Sequence, residues 1–166
     1  MMDKMLHIDP QRCTGCMECE IVCAVRCGAS ANPSLSRIRI FQWNRKPFFV
    51  PIACRQCEDA PCMAACPRDA LYRDNFLDWV MVDYGRCISC RMCMAACPFG
   101  AIGFDPLRQK IFKCDLCGGD PQCVRFCYPG ALAYVPVESV QYGHIRHAAR
   151  RIRIGVKENG SWPISG

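Results

Sequence analysis

The sequence predicts an α+β fold of two lobes in pseudo-twofold relation, with little regular secondary structure. Three observations predict it. Sixteen of the seventeen cysteines gather into four compact tetrads along a chain of 166 residues. The intervals between tetrads hold only very short strand patterns, separated by turn signals. The aromatic share is 10%, which leaves a small apolar core for the length.

The tetrads are Cys13-Cys16-Cys19-Cys23, Cys54-Cys57-Cys62-Cys66, Cys87-Cys90-Cys93-Cys97 and Cys114-Cys117-Cys123-Cys127. The first and third read C-x2-C-x2-C-x3-C. The second reads C-x2-C-x4-C-x3-C and the fourth C-x2-C-x5-C-x3-C, the same frame with a longer middle loop. This is the spacing that holds [4Fe–4S] clusters. Cysteines two residues apart wrap a short turn around three corners of a cubane. The x3 step carries the fourth into a helix leading away, and in two-cluster proteins that fourth cysteine ligates the other cluster. Pro67 after Cys66 and Pro98 after Cys97 fix φ just beyond the ligand. Four frames predict four [4Fe–4S] clusters, and a chain of clusters predicts a conductor of electrons.

Two other uses of cysteine fit less well. Structural zinc pairs one short knuckle with a distant second one, whereas here four thiols crowd into each frame. A disulfide framework needs an oxidising compartment and an even count. The count is odd, and Met1 to Pro10 shows neither an apolar signal-peptide core nor twin arginines. Cys27 is left over. Its x3 step from Cys23 makes it a conceivable substitute ligand, but a small buried hydrophobe is the reading adopted.

Each interval has its own pattern. Leu71-Tyr72 and Trp79-Val80-Met81-Val82 read as short strands around a turn at Asp74-Asn75. Ala101 to Phe104 and Gln109 to Phe112 flank a hairpin-like connection at Asp105-Pro106-Leu107. Arg37-Ile38-Arg39-Ile40-Phe41 alternates basic and apolar residues, as a strand with one polar face does. Helices are expected from Glu18 to Cys27 and from Met92 to Ala96. Tetrads two and three are contiguous and form lobe B, residues 45–107. Tetrads one and four close around it as lobe A, residues 1–30 with 108–137, and 31–44 connect the two. Residues 138–166 form a basic arm carrying His144, His147, Ile152, Ile154 and Trp162, which reads as a docking segment.

The formal charge of +6 does not announce a nucleic-acid binder. Sixteen thiolates outweigh four doubly positive cluster cores by eight charges, which brings the loaded protein to about −2. No aromatic-interleaved basic stripe is present. The longest uncharged stretch, Met92 to Phe104, is too short to span a bilayer and is interrupted by Pro98. No GxGxxG follows a strand, Gly118-Gly119 lacks the Lys-Ser/Thr of a phosphate loop, and no nucleophile–base pair stands out. The expectation is a cytoplasmic, non-catalytic protein without membrane insertion. Metal binding becomes folding free energy where the empty site is unformed, so the iron-free chain is expected to be mostly disordered.

From Ile8 to about Val137 the chain resembles the four-cluster ferredoxin-like subunits of bacterial and archaeal oxidoreductases, such as the iron–sulfur subunits of dimethyl sulfoxide reductase and formate dehydrogenase. The phrases Cys57-Glu58-Asp59-Ala60-Pro61-Cys62, Lys113-Cys114-Asp115-Leu116-Cys117 and Cys123-Val124-Arg125-Phe126-Cys127 carry the resemblance. Tyr128 departs from it by separating Cys127 from Pro129. The resemblance implies tandem bacterial-ferredoxin-like lobes and pairs the first tetrad with the fourth and the second with the third. Cys13, Cys16, Cys19 and Cys127 then hold one cluster, and Cys114, Cys117, Cys123 and Cys23 a second. Cys54, Cys57, Cys62 and Cys97 hold a third, and Cys87, Cys90, Cys93 and Cys66 a fourth. It implies a large molybdenum- or tungsten-pterin catalytic partner, a flavin subunit as a further partner, and anaerobic metabolism. The short chain looks most like the small subunits of tungsten aldehyde oxidoreductase or benzoyl-CoA reductase complexes. The alternatives carried are a diffusible polyferredoxin and a subunit of a hydrogenase, carbon monoxide dehydrogenase or formate dehydrogenase. Self-association into a longer wire is also permitted.

Overall fold

The computed structural model describes residues 4–43 and 48–140. In chain order its main elements are β1 (Lys4–Ile8), α1 (Glu18–Gly28), β2 (Ile38–Trp43), β3 (Phe48–Ala53), α2 (Pro61–Ala64), β4 (Leu71–Arg73), β5 (Val80–Val82), α3 (Met92–Ala96), β6 (Ile102–Asp105), β7 (Lys110–Lys113), α4 (Gln122–Arg125) and β8 (Leu132–Pro136). This is the mixed α+β content expected, with little regular structure.

Every sheet among the described residues is a two-stranded antiparallel ribbon. A lone ribbon is marginal in water and needs a packing partner. Here β4–β5 and β6–β7 form over the segments expected as strands, with Leu71 opposite Val82 and Phe104 opposite Ile111. Their turns are held by carboxylates. Asp74 accepts from the amides of Phe76 (2.9 Å) and Leu77 (2.7 Å), and Asp105 from those of Leu107 (2.9 Å) and Arg108 (3.2 Å). Such Asx turns are what aspartate supplies at a reversal. In β6, Gly103 leaves the space that the Phe112 ring fills from the facing strand.

Two ribbons go beyond the sequence reading. The alternating strand β2 finds its partner in β3, with Ile38 opposite Ala53 and Phe41 opposite Val50. β1 pairs with β8, Leu6 opposite Tyr134, and so ties the start of the chain to its far side. The expected helices appear as α1 and α3, each one residue or less from its expected bounds.

The core is divided. One apolar cluster gathers Leu6, Ile38, Ala53, Trp79, Leu116 and Leu132 around Cys19, Cys23 and Cys123. The other gathers Leu71, Val80, Ile102 and Ile111 around Cys62 and Cys93. Cysteines thus sit inside both cores. Glu20 fastens α1 to β2 by accepting from the Ile40 amide. Of the basic arm, residues 141–166, with His144, His147 and Trp162, lie outside the described residues.

Candidate metal centre

The local backbone explains how each tetrad aims its thiols. In the first tetrad the residues on either side of the second cysteine, Gly15 before it and Met17 after it, lie at φ 75° and 62°. The third tetrad repeats this at Ser89 (56°) and Arg91 (65°), and the longer frames keep Gln56 (49°) and Leu116 (52°) before their second cysteines. A left-handed residue reverses the chain so that the next cysteine faces the same hollow. For a side chain other than glycine this costs free energy, and such strain gathers at ligand clamps. At Gly15 a Cβ would also meet the Phe49 ring at 2.5 Å.

The x3 step is a helical turn. Cys19 and Cys23 both lie on α1, an i,i+4 pair on one face. One turn of helix advances about 5.4 Å, enough to carry the fourth cysteine out of its own hollow into the next. α1 packs against α4, and α2 against α3, so each helix pair can exchange fourth cysteines.

The cavities group cysteines from different tetrads. Cys13, Cys16, Cys19 and Cys127 line one, with Ile40, Phe126 and Leu132 among its walls; its volume free of protein atoms, mouth included, is about 310 Å³. Cys23, Cys114, Cys117 and Cys123 line a second of about 370 Å³. Cys54, Cys57, Cys62 and Cys97 line a third of about 340 Å³. Cys66, Cys87, Cys90 and Cys93 line a fourth of about 290 Å³. Among the described residues no three His, Cys, Asp or Glu side chains converge as ligands of a single ion would. The four thiols of each set surround a hollow, an arrangement open to a polynuclear cluster.

Backbone amides point at several of these sulfurs. Arg37 N–H donates to Cys23 Sγ (3.2 Å), Ala70 to Cys66 (3.3 Å) and Ala101 to Cys97 (3.4 Å). Leu116 donates to Cys114 (3.4 Å) and Gln56 to Cys54 (3.5 Å). Amides aimed at sulfur favour the thiolate and are one of the levers on cluster potential. At Cys66, amides of Arg68, Ala70 and Leu71 outweigh burial and lower the thiol pKa. At Cys19 and Cys93 burial wins. It pushes Cys19 up to about 12, with Cys127 adding repulsion, and Cys93 up to about 11, with Cys87 adding repulsion. Thiols that resist ionisation when crowded together need a cation among them, and thiolate is the soft donor that iron–sulfur clusters select. The donor set fits a cluster.

Cysteines of different cavities lie near enough to act on one another electrostatically. Cys123 feels the charge of Cys19, Cys114 that of Cys54, and Cys93 that of Cys62. These links run from the first hollow through the second and third to the fourth, and the two exposed cysteines, Cys16 and Cys90, line the first and the fourth. Around the third hollow, Arg73 ties β4 to the second tetrad by donating to the carbonyls of Cys57 (2.6 Å) and Glu58 (2.7 Å).

Cys27 is half-buried in the wall of the second cavity, beside Cys23 and Cys117. Its thiol lies within reach of both, and this contact is the main cause lowering Cys23 to about 6 and Cys117 to about 7. It also borders a larger cavity of about 740 Å³ that no tetrad cysteine lines. Sequence reasoning assigned no role to two buried polar side chains around the third hollow, Gln56 and Lys113, although Lys113 heads one of the phrases that carry the resemblance. The signal they share is a position beside a tetrad cysteine.

Residues 45–136 match the model of the 4Fe-4S dicluster domain, and residues 10–29 that of a 4Fe-4S binding domain. The chain belongs to the 4Fe-4S dicluster family. It is an iron–sulfur protein, and the family expected from the motifs is the family found. YsaA of Escherichia coli (strain K12) is 39% identical over 160 residues, covering 87% of this chain and 98% of the relative. The aliphatic sulfonate oxidoreductase polyferredoxin-like subunit of Pyrococcus furiosus is 39% identical over 121 residues, covering 73% and 69%. The thiosulfate reductase electron transfer subunit PhsB of Salmonella typhi is 33% identical over 171 residues, covering 93% and 82%. No helix among the described residues is long and apolar enough to cross a membrane.

Proposed function

We propose that this chain is the non-catalytic electron-transfer subunit of an oxidoreductase complex, carrying four [4Fe–4S] clusters in a row. The ligand sets are the four that the resemblance implies: Cys13, Cys16, Cys19 and Cys127; Cys114, Cys117, Cys123 and Cys23; Cys54, Cys57, Cys62 and Cys97; Cys87, Cys90, Cys93 and Cys66. The observation that carries the reading is that each set lines one cavity, across tetrad boundaries. When bound, such clusters accept and release single electrons. The protein holds them in contact order, turns amides toward their sulfurs, shields the middle sites with apolar walls and leaves Cys16 and Cys90 at the surface.

The partners favoured are a tungsten- or molybdenum-pterin catalytic subunit of the aldehyde oxidoreductase type at one end and a flavin subunit or other redox protein at the other. The likeness to subunits of an aliphatic sulfonate oxidoreductase and a thiosulfate reductase supports a place in such a complex. Anaerobic purification from the native cell, with partners identified and iron, tungsten and molybdenum counted, tests it. About sixteen irons per chain with a stable tungsten- or molybdenum-bearing partner is the expected result. The same iron without a partner replaces the subunit with a diffusible polyferredoxin, and far less iron overturns the cluster reading itself.

A further inference from the structure

Lys113, at the end of β7, is 4% exposed. Its Nζ donates to Val80 O (2.6 Å), Gln56 Oε1 (3.0 Å) and Cys114 O (3.2 Å). All three acceptors are neutral. Two partly buried arginines, by contrast, have carboxylates: Arg37 meets Asp115 at 2.8 Å and Arg73 meets Asp78 at 3.3 Å. Gln56 is fully committed as well, its Nε2 donating to Cys114 O (3.0 Å) and its Oε1 accepting from Val80 N (2.9 Å). The fold thus uses a glutamine to orient a buried ammonium and, among the described residues, supplies it with no carboxylate. Buried charges persist when they are paired.

The missing anion is indicated by the lysine's position. Lys113 lines the cavity of Cys54, Cys57, Cys62 and Cys97, and the next residue, Cys114, lines the adjoining cavity. Its charge acts on thiols in both, opposing the effect of burial on Cys62 and Cys114. A [4Fe–4S] core with four thiolates carries a net charge of about −2 when oxidised. We propose that Lys113, oriented by Gln56, is the counter-charge of the two middle clusters and raises their reduction potentials. The inference rests on the ligand sets proposed above. The reduction it favours adds one electron to a cluster, and no bond in the protein forms or breaks. In a poorly polarisable interior this single charge is scarcely screened by salt, so the two middle sites become more favourable resting points for an electron than their thiols alone would make them.

The test compares anaerobically prepared full-length wild type, Lys113→Gln, Lys113→Arg and Gln56→Glu by iron analysis and by redox titration followed by electron paramagnetic resonance. About sixteen irons in the wild type checks the underlying reading separately from the inference. Cys57→Ala and Cys114→Ala identify the signals of the middle clusters. Lys113→Gln is expected to make reduction of one or both middle clusters at least tenfold less favourable, a fall of 59 mV for one electron. Gln56→Glu places an anion beside the ammonium and should shift the same signals downward with the lysine still present. Lys113→Arg should keep the wild-type values. Unchanged potentials in a fully loaded Lys113→Gln overturn the proposal, as does an equal shift in Lys113→Arg. Should the two charge-cancelling variants fail to load iron, loading of Lys113→Arg still identifies charge as the requirement. Failure of Lys113→Arg as well makes packing the lysine's contribution and overturns the proposal.

Discussion

Cys97 belongs by sequence to the third tetrad, yet it lines the hollow of the second with Cys54, Cys57 and Cys62. Cys97→Ala is therefore expected to damage a cluster that its own tetrad does not hold. The side chain is only half-buried and its sulfur accepts one described hydrogen bond, from Ala101 N at 3.4 Å. Its truncation costs about 1 kcal/mol by itself, too little to unfold a domain, so a larger effect reports the metal site. Three thiolates remain around a hollow of about 340 Å³. Iron should fall from about sixteen to between about twelve and fifteen, one to four irons of a single cluster. The assay is iron and sulfide analysis of anaerobically purified protein, with electron paramagnetic resonance of the reduced form. The signal lost should be the one lost in Cys57→Ala and retained in Cys90→Ala. If Cys97→Ala instead reproduces Cys90→Ala, each tetrad serves its own cluster and the reasoning from helix geometry and cavities fails.

Other expectations follow from single contacts. Arg73→Met removes short bonds to the carbonyls of Cys57, Glu58 and, at 2.7 Å, Asp78. It should cost about 2–3 kcal/mol in anaerobic denaturant unfolding followed by cluster absorbance, and a loss below about 0.5 kcal/mol would show the clamp to be idle. Gly103→Ala drives a methyl into the Phe112 ring and should destabilise by about 1–3 kcal/mol; an unchanged melting temperature would mean that the ring moves aside freely. Cys27→Ala should leave the iron content at about sixteen, and loss of about four irons would make Cys27 a ligand. Stripping iron with a chelator under reducing conditions should abolish the far-ultraviolet circular dichroism of the fold. A native spectrum without iron would show that the apolar clusters suffice.

Much of this was legible in the chain because cysteine spacing is a local code. The x2 steps call for a short turn and the x3 step for one turn of helix, and both appear where the spacing puts them, in α1 and α3; the structure adds that the short turns are made by left-handed residues at Gly15, Met17, Ser89 and Arg91. The two central hairpins were legible for a similar reason, since Asp74 and Asp105 mark their own turns through bonds spanning two or three residues. β3 escaped because Phe48–Ala53 contains Pro51 and lacks alternation, so its strand character comes from pairing with β2.

By itself, then, the sequence determined the metal chemistry, the α+β class and the places where the chain must turn, all consequences of interactions a few residues long. Which thiols share a hollow was suggested only by resemblance, and it is the packing of α1 on α4 and of α2 on α3 that gathers them. Tertiary structure alone closed β1 onto β8 and ordered the four hollows with Cys16 and Cys90 at the outside. It alone buried Lys113 among neutral oxygens. A lysine in sequence is a solvated charge until packing removes the water, and the cost of that removal depends on what the rest of the fold places beside it.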